Sequence, residues 1–324
     1  MNQTEQTPQT YIPMVKITPS QIVGYYQYTG THRRSWQSLI FRTLGEDVIE
    51  GTQKKVQQAY TGELSKSARK KLKESCELLF AIAQERKIEN PTTGKSFPFR
   101  LGLITLTLSG PQEKRTDREL KKELLEPFLR HFRNKGLLNY VWKAERQNNG
   151  NLHFHILTDF FMDKTYLTNY WNRLQAKLGF IESFHAKYGH RNPASTNVKK
   201  VRGKKGMIGY MVKYMLKPAA KKKQLELGRE IDPKTIGKIW DCSLHLKIKN
   251  DTAEPIEDWE FEALNKAEDA GKLKRIETEH CTIYVPKKGE LANIAPQFLR
   301  QRLRQFLEKV KLKATESKFR ASPE

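Results

Sequence analysis

The chain has 324 residues, enough for one large domain or two ordinary ones with a sizeable core. Its three cysteines (Cys76, Cys242, Cys281) are scattered without a C-x-x-C pair, and there is no signal-peptide core and no run of roughly 18 apolar residues. A disulfide framework, a thiolate zinc site and a membrane span are therefore excluded, leaving a soluble, cytoplasmic reading, and 59 Lys and Arg against 36 Asp and Glu give a net charge of +23 that points to nucleic acid as partner.

Residues 1–95 read as a basic, partly helical extension, with a helix expected from Leu64 to about Lys87 around a stripe of Leu72, Leu79, Phe80 and Ile82. The segment NPTTGKSFPF (90–99) is a turn-rich boundary. Its Gly94-Lys95-Ser96 lacks the glycine that a phosphate-binding loop needs five positions earlier, where Glu89 stands, so no ATPase is read here.

A domain over 96–250 follows. LITLTL (103–108) is a strand with alternate threonines, Thr105 and Thr107. Thr116 and Glu119 have the spacing of a capping box and open a helix with Leu120, Leu124, Phe128 and Phe132 at every fourth position, expected to bend at Pro127 and stop at Gly136. LLNYVWKAER (137–146) and LHFHIL (152–157), joined by Gln-Asn-Asn-Gly, form a β-hairpin by turn chemistry.

A helix is expected over 164–178, with Tyr166, Tyr170, Leu174 and Leu178 on one side and Gly179 at its end. Extended pieces lead to a helix near Lys205 that Pro218 terminates, and IWDCSLHLKI (239–248) alternates as a further strand. Residues 251–324 read as an acidic linker (251–270) and a basic amphipathic tail, with Leu299, Leu303, Phe306 and Val310 at helical spacing from Gln297 to about Leu312.

Two constellations carry chemistry. In an extended strand His153 and His155 share a face and Phe154 takes the other. If Asn148, Asn149 and Gly150 make a three-residue loop with the glycine left-handed, Glu145 lies opposite His153 and the three side chains can converge on one cation with coordination positions open; a two- or four-residue loop turns Glu145 away. In GYMVKYMLKP (209–218), Tyr210, Lys213, Tyr214 and Lys217 fall within a helical wedge of about 100 degrees. A tyrosine hydroxyl, with its ordinary pKa near 10, becomes a nucleophile when positive charge stabilises the phenolate, which a lysine one turn away supplies. From Ser183 to Leu225 twelve Lys or Arg stand without one Asp or Glu, which marks Lys199, Lys200, Arg202, Lys204, Lys205, Lys221, Lys222 and Lys223 as phosphate-contacting candidates.

LITLTL, LHFHIL and YMVKYMLK, in this order, resemble the three motifs of the HUH endonucleases, in particular the two-tyrosine rolling-circle replication initiators of single-stranded DNA phages and related plasmids. The resemblance implies an α+β fold, an antiparallel sheet with packed helices of the ferredoxin/RRM-like kind. It also implies His153, His155 and Glu145 as ligands of Mg2+ or Mn2+, Tyr210 and Tyr214 as nucleophiles, and Lys213 and Lys217 as their assistants. The implied reaction nicks one strand at an origin, leaving a 5′-phosphotyrosine and a free 3′-hydroxyl, in the cytoplasm of a bacterial host whose helicase and DNA polymerase complete replication. A transposase or relaxase of the same superfamily would share the chemistry, and a non-catalytic DNA-binding protein would keep only the basic stretch.

Overall fold

The computed structural model describes residues 11–28, 64–89, 94–112, 115–147, 149–201 and 237–320. The helix expected near Lys205 lies outside them. The chain divides into two compact units, one from residues 1–59 and 250–306, the other from 60–249 and 307–324.

The first unit holds a five-stranded antiparallel sheet made from both ends of the chain. Strands β1 (Tyr11–Ile17) and β2 (Ile22–Tyr28) pair with each other. The other three strands come from beyond residue 250: β10 (Glu254–Pro255) adds to β1, and β12 (Cys281–Pro286) lies between β2 and β11 (Leu273–Glu277). The segment read as partly helical thus begins with a β-hairpin, in which Val15, Ile17 and Ile22 are buried.

In the second unit, α1 (Lys66–Ile82) starts at Ser65, whose hydroxyl accepts from Ala68 N. It stops five residues short of the expected end, because β3 (Arg86–Glu89) pairs with β4 (Ser96–Phe99). The main sheet adds β5 (Leu101–Thr107), β6 (Tyr140–Arg146), β7 (Leu152–Thr158), β8 (Thr196–Val201) and β9 (Trp240–Cys242). Its order is β8-β5-β7-β6-β9, every pair antiparallel, so the histidine strand β7 is central.

Strand alternation gives this sheet two faces. Ile104, Leu106, Trp142, Ala144, Phe154 and Ile156 are buried against helices that connect the strands. Truncating a fully buried Phe154 to alanine would cost about 3–5 kcal/mol. The capping box forms: Thr116 N donates to Glu119 Oε2 (2.8 Å) and Glu119 N to Thr116 Oγ1 (3.2 Å). It opens α2 (Asp117–Leu120), which passes through a π turn (Lys121–Leu125) into α3 (Glu126–Asn134). Spacing by four drifts about 40 degrees per step on a regular α-helix, and the wider turn absorbs an extra residue, so Leu120, Leu124, Phe128 and Phe132 all stay buried. Pro127 accordingly sits in the first turn of α3, where its missing N–H costs little. Gly136, at φ 103, ends the helix, with Leu137 N donating to Phe132 O at 2.9 Å.

The next helix, α4 (Lys164–Ala176), buries Leu167, Trp171 and Leu174, while Tyr166 of the expected stripe is exposed. Trp171 Nε1 donates to Thr107 O (2.8 Å), fixing α4 to the end of β5. A short α5 (Phe180–Tyr188) stands where extended chain was expected.

On the second face Leu103, Val141 and Leu157 are buried at one end. Cys242, opposite Val141, meets Ser75 of α1 at 3.5 Å, so α1 covers this end of the sheet. The expected strand 239–248 ends at Cys242, because Ser243 Oγ donates to Leu138 O (2.7 Å) and the chain turns into a 3-10 segment, Leu244–Lys247. No helix among the described residues is long and apolar enough to cross a membrane.

Candidate metal centre

The open end of the second face carries the histidines, and the β6–β7 turn decides what stands beside them. Gln147 N donates to Asn151 O (2.8 Å) and Gly150 N to Gln147 O (3.0 Å), closing a three-residue loop with Gly150 at φ 80. This is the loop length that sets Glu145 opposite His153. Arg146 braces the turn: one guanidinium nitrogen donates to Gly150 O, and another meets the fully buried carboxylate of Asp117 at 2.6 Å.

Three donor atoms converge. Glu145 Oε1 lies 3.0 Å from His153 Nε2 and 2.9 Å from His155 Nε2, and the two Nε2 atoms are 2.8 Å apart. Two imidazole lone pairs at that separation repel unless a proton or a cation lies between them. An octahedral cation with bonds of about 2.1 Å spans neighbouring ligand atoms about 3.0 Å apart, which matches all three edges. One carboxylate with two imidazoles suits a divalent cation of the Mg2+, Mn2+ or later first-row kind, and this is the one metal-capable cluster among the described residues.

The electrostatics favour the ligand forms. Burial pushes the Glu145 carboxyl upward, but hydrogen bonds from His153 and His155, with the charge of Lys143, hold it well below the usual carboxylate range. Burial lowers the pKa of His155, helped by neighbouring positive charge and opposed by Glu145, so its imidazole is neutral at neutral pH, as a ligand must be.

Two neighbours went unread in the sequence. Thr105 Oγ1 is 3.1 Å from His155 Nδ1; the proton it accepts there leaves Nε2 free to bind a cation. Its signal was the threonine alternation of β5, but only the pairing of Thr105 with His155 gives it meaning. Lys143, buried and 3.5 Å from Glu145 Oε2, is a charge at a strand position that alternation already turned toward the histidine face.

Of the phosphate-contacting candidates, β8 carries two. Lys199 stands opposite Leu103, on the face of the metal cluster and exposed, whereas Lys200 is on the other face with its ammonium 5.6 Å from the Phe97 ring. Arg202, Lys204, Lys205, Lys221, Lys222 and Lys223 lie outside the described residues, as do Tyr210, Lys213, Tyr214 and Lys217.

Residues 102–219 match the family described as replication-associated protein ORF2. The match supports a Rep-type, replication-associated protein, with DNA at an origin as partner. It covers just over a third of the chain and contains β5, β6, β7 and β8, hence the whole cluster. No curated protein and no solved structure matches the chain.

Proposed function

We propose that the chain is a rolling-circle replication initiator of the HUH class, which cuts one strand of single-stranded origin DNA by tyrosine attack and rejoins it. The convergence of Glu145, His153 and His155 within the replication-associated segment carries this reading. Lys199, on the same face, and the basic residues that follow it guide the phosphate backbone across the site.

In the cutting step the hydroxyl oxygen of Tyr210 or Tyr214 bonds to phosphorus and gives up its proton to solvent. The bond from phosphorus to the 3′-oxygen breaks, and that oxygen leaves protonated as a 3′-hydroxyl. The product is a 5′-phosphotyrosine, and attack by a 3′-hydroxyl reverses the step without ATP. Lys213 and Lys217 stabilise the phenolate. A bound Mg2+ or Mn2+ supplies Lewis-acid stabilisation of the charge that develops on the scissile phosphate. The second tyrosine allows a second cut while the first holds the old end, and a host helicase and DNA polymerase extend the 3′ end.

The test is a denaturing gel of the protein with single-stranded origin-region DNA, with and without Mn2+. A covalent adduct that needs Mn2+, persists in Tyr210→Phe and in Tyr214→Phe, and vanishes in the double variant is expected. Binding to that DNA with no adduct in the wild type would overturn the catalytic reading.

A further inference from the structure

The first unit, outside the family-matched segment, has a groove with a chemistry of its own. Its walls are α6 (Asp258–Asp269), the short α7 (Leu291–Ile294) and the first turns of α8 (Gln297–Arg320), and it encloses about 700 Å3. That volume is within the range of about 300–1,000 Å3 typical of ligand sites. Ala263 and Ala267, one and two turns after Trp259 on α6, leave the space open because they end at Cβ.

Trp259 stands at the groove 56% exposed, with its ring 5.3 Å from Phe298 and tilted 65° to it. Its indole N–H is already used, donating to Glu257 Oε2 at 2.8 Å. The ring is thus held by its polar edge while its apolar surface stays in water, which favours a flat apolar partner.

The charge of the lining is one-sided. Lys266, Lys272 and Arg300 line the groove and no Asp or Glu does. The acids of α6 are engaged elsewhere: Glu260 pairs with Arg302 at 3.0 Å, Glu257 holds the indole, and Glu262 meets Lys266 only in an exposed contact of 3.8 Å. Arg300 Nε is buried without a partner among the described residues.

We infer that this groove binds single-stranded nucleic acid, with an unpaired base stacked on Trp259 and the flanking phosphates held by Lys266, Lys272 and Arg300. Stacking needs an exposed aromatic surface and the phosphodiester backbone needs cations without competing carboxylates, and the groove has both. A duplex, whose bases are stacked on each other, offers Trp259 no free surface. The site is independent of the tyrosine chemistry, so it stands or falls separately from the nicking reading.

The test uses the full chain without divalent cation and a thymidine hexanucleotide carrying one 5-iododeoxyuridine, too short to engage much of the basic stretch at 183–225. Irradiation followed by peptide mapping is expected to place a cross-link on the peptide containing Trp259. In equilibrium titrations Trp259→Ala should weaken binding at this site by about 5- to 150-fold, the range of one base stack. Trp259→Phe should restore much of it, and the double variant Lys266→Gln, Lys272→Gln should flatten the salt dependence. Cross-links found only elsewhere, with unchanged affinity in Trp259→Ala, would overturn the inference. So would displacement of the hexanucleotide by a glutamate hexapeptide at equal concentration, which would mark the groove as a site for acidic protein segments.

Discussion

Replacing Thr105 with valine tests whether the histidine pair is built to hold a cation. The side chains are nearly the same shape and valine is at home in a strand, so β5 stays paired. What is lost is the oxygen 3.1 Å from His155 Nδ1. A metal-bound His155 presents Nε2 as a lone pair, so its proton must sit on Nδ1, buried and, in the variant, without an acceptor. Leaving such a donor unpaired costs about 1–3 kcal/mol. The metal-free protein escapes this cost, because the proton can move to Nε2 and be donated to Glu145 Oε1, 2.9 Å away. The whole penalty therefore falls on the bound state, and Mn2+ affinity by isothermal titration should drop about 5- to 150-fold while urea unfolding of the metal-free protein barely changes. Thr105→Ser, which keeps the oxygen, should bind Mn2+ close to wild type. Wild-type affinity in Thr105→Val would refute the argument that this oxygen sets the tautomer.

Three further outcomes follow from other parts of the structure. His245 is buried, both ring nitrogens lack partners among the described residues, and burial pushes its pKa down to about 4. Its unfolded value is near 6.5, so stability is intact above that pH and falls as pH drops toward 4, by about 2 kcal/mol between pH 7.5 and 5; urea midpoints should show a smaller loss in His245→Phe, and an equal loss would exclude His245 as the source. Arg146→Met strips away the guanidinium that meets the buried Asp117 carboxylate and should cost about 3–5 kcal/mol, most of it recovered by adding Asp117→Asn; chemical denaturation of the single and double variants checks this. Gly150→Ala forces a side chain into φ 80 and should cost about 1–2 kcal/mol, with Gly150→Asn milder, measured the same way.

The hairpin was legible because its information is local: a glycine at the left-handed position fixed the loop, the loop fixed the register, and the register put Glu145 against His153. The capping box at Thr116 and the helix stop at Gly136 were readable for the same reason. Strands β1 and β2 were not, since Val15 has its partner at Glu254 and Tyr25 its partner at Cys281, more than 200 residues away, and nothing nearby announces such pairings. The strand expected over 239–248 failed at Ser243, whose hydroxyl found the backbone of β6 a better partner than a continued ladder. The stripe of the 164–178 helix was misplaced by one position because Tyr166 and Tyr170 share the spacing of a core, while the core took Leu167 and Trp171. Thr105 belongs to the same class as β1: its role exists only through a neighbour on another strand.

The first unit is assembled from residues on both sides of the second, and this orders events on the ribosome. When β1 and β2 emerge, the strands β11 and β12 that complete their sheet are still more than 200 residues from being made. At synthesis rates of about 5–20 residues per second that is a wait of at least about 10 seconds, during which Ile17, Ile22 and the tyrosines of β2 have no permanent cover. The metal-capable sheet of the second unit is complete with β9, well before β12 exists. A nascent chain arrested near residue 250 would therefore carry a finished histidine cluster behind an unfinished leading hairpin, and the exposed hairpin is where a ribosome-associated chaperone would be needed.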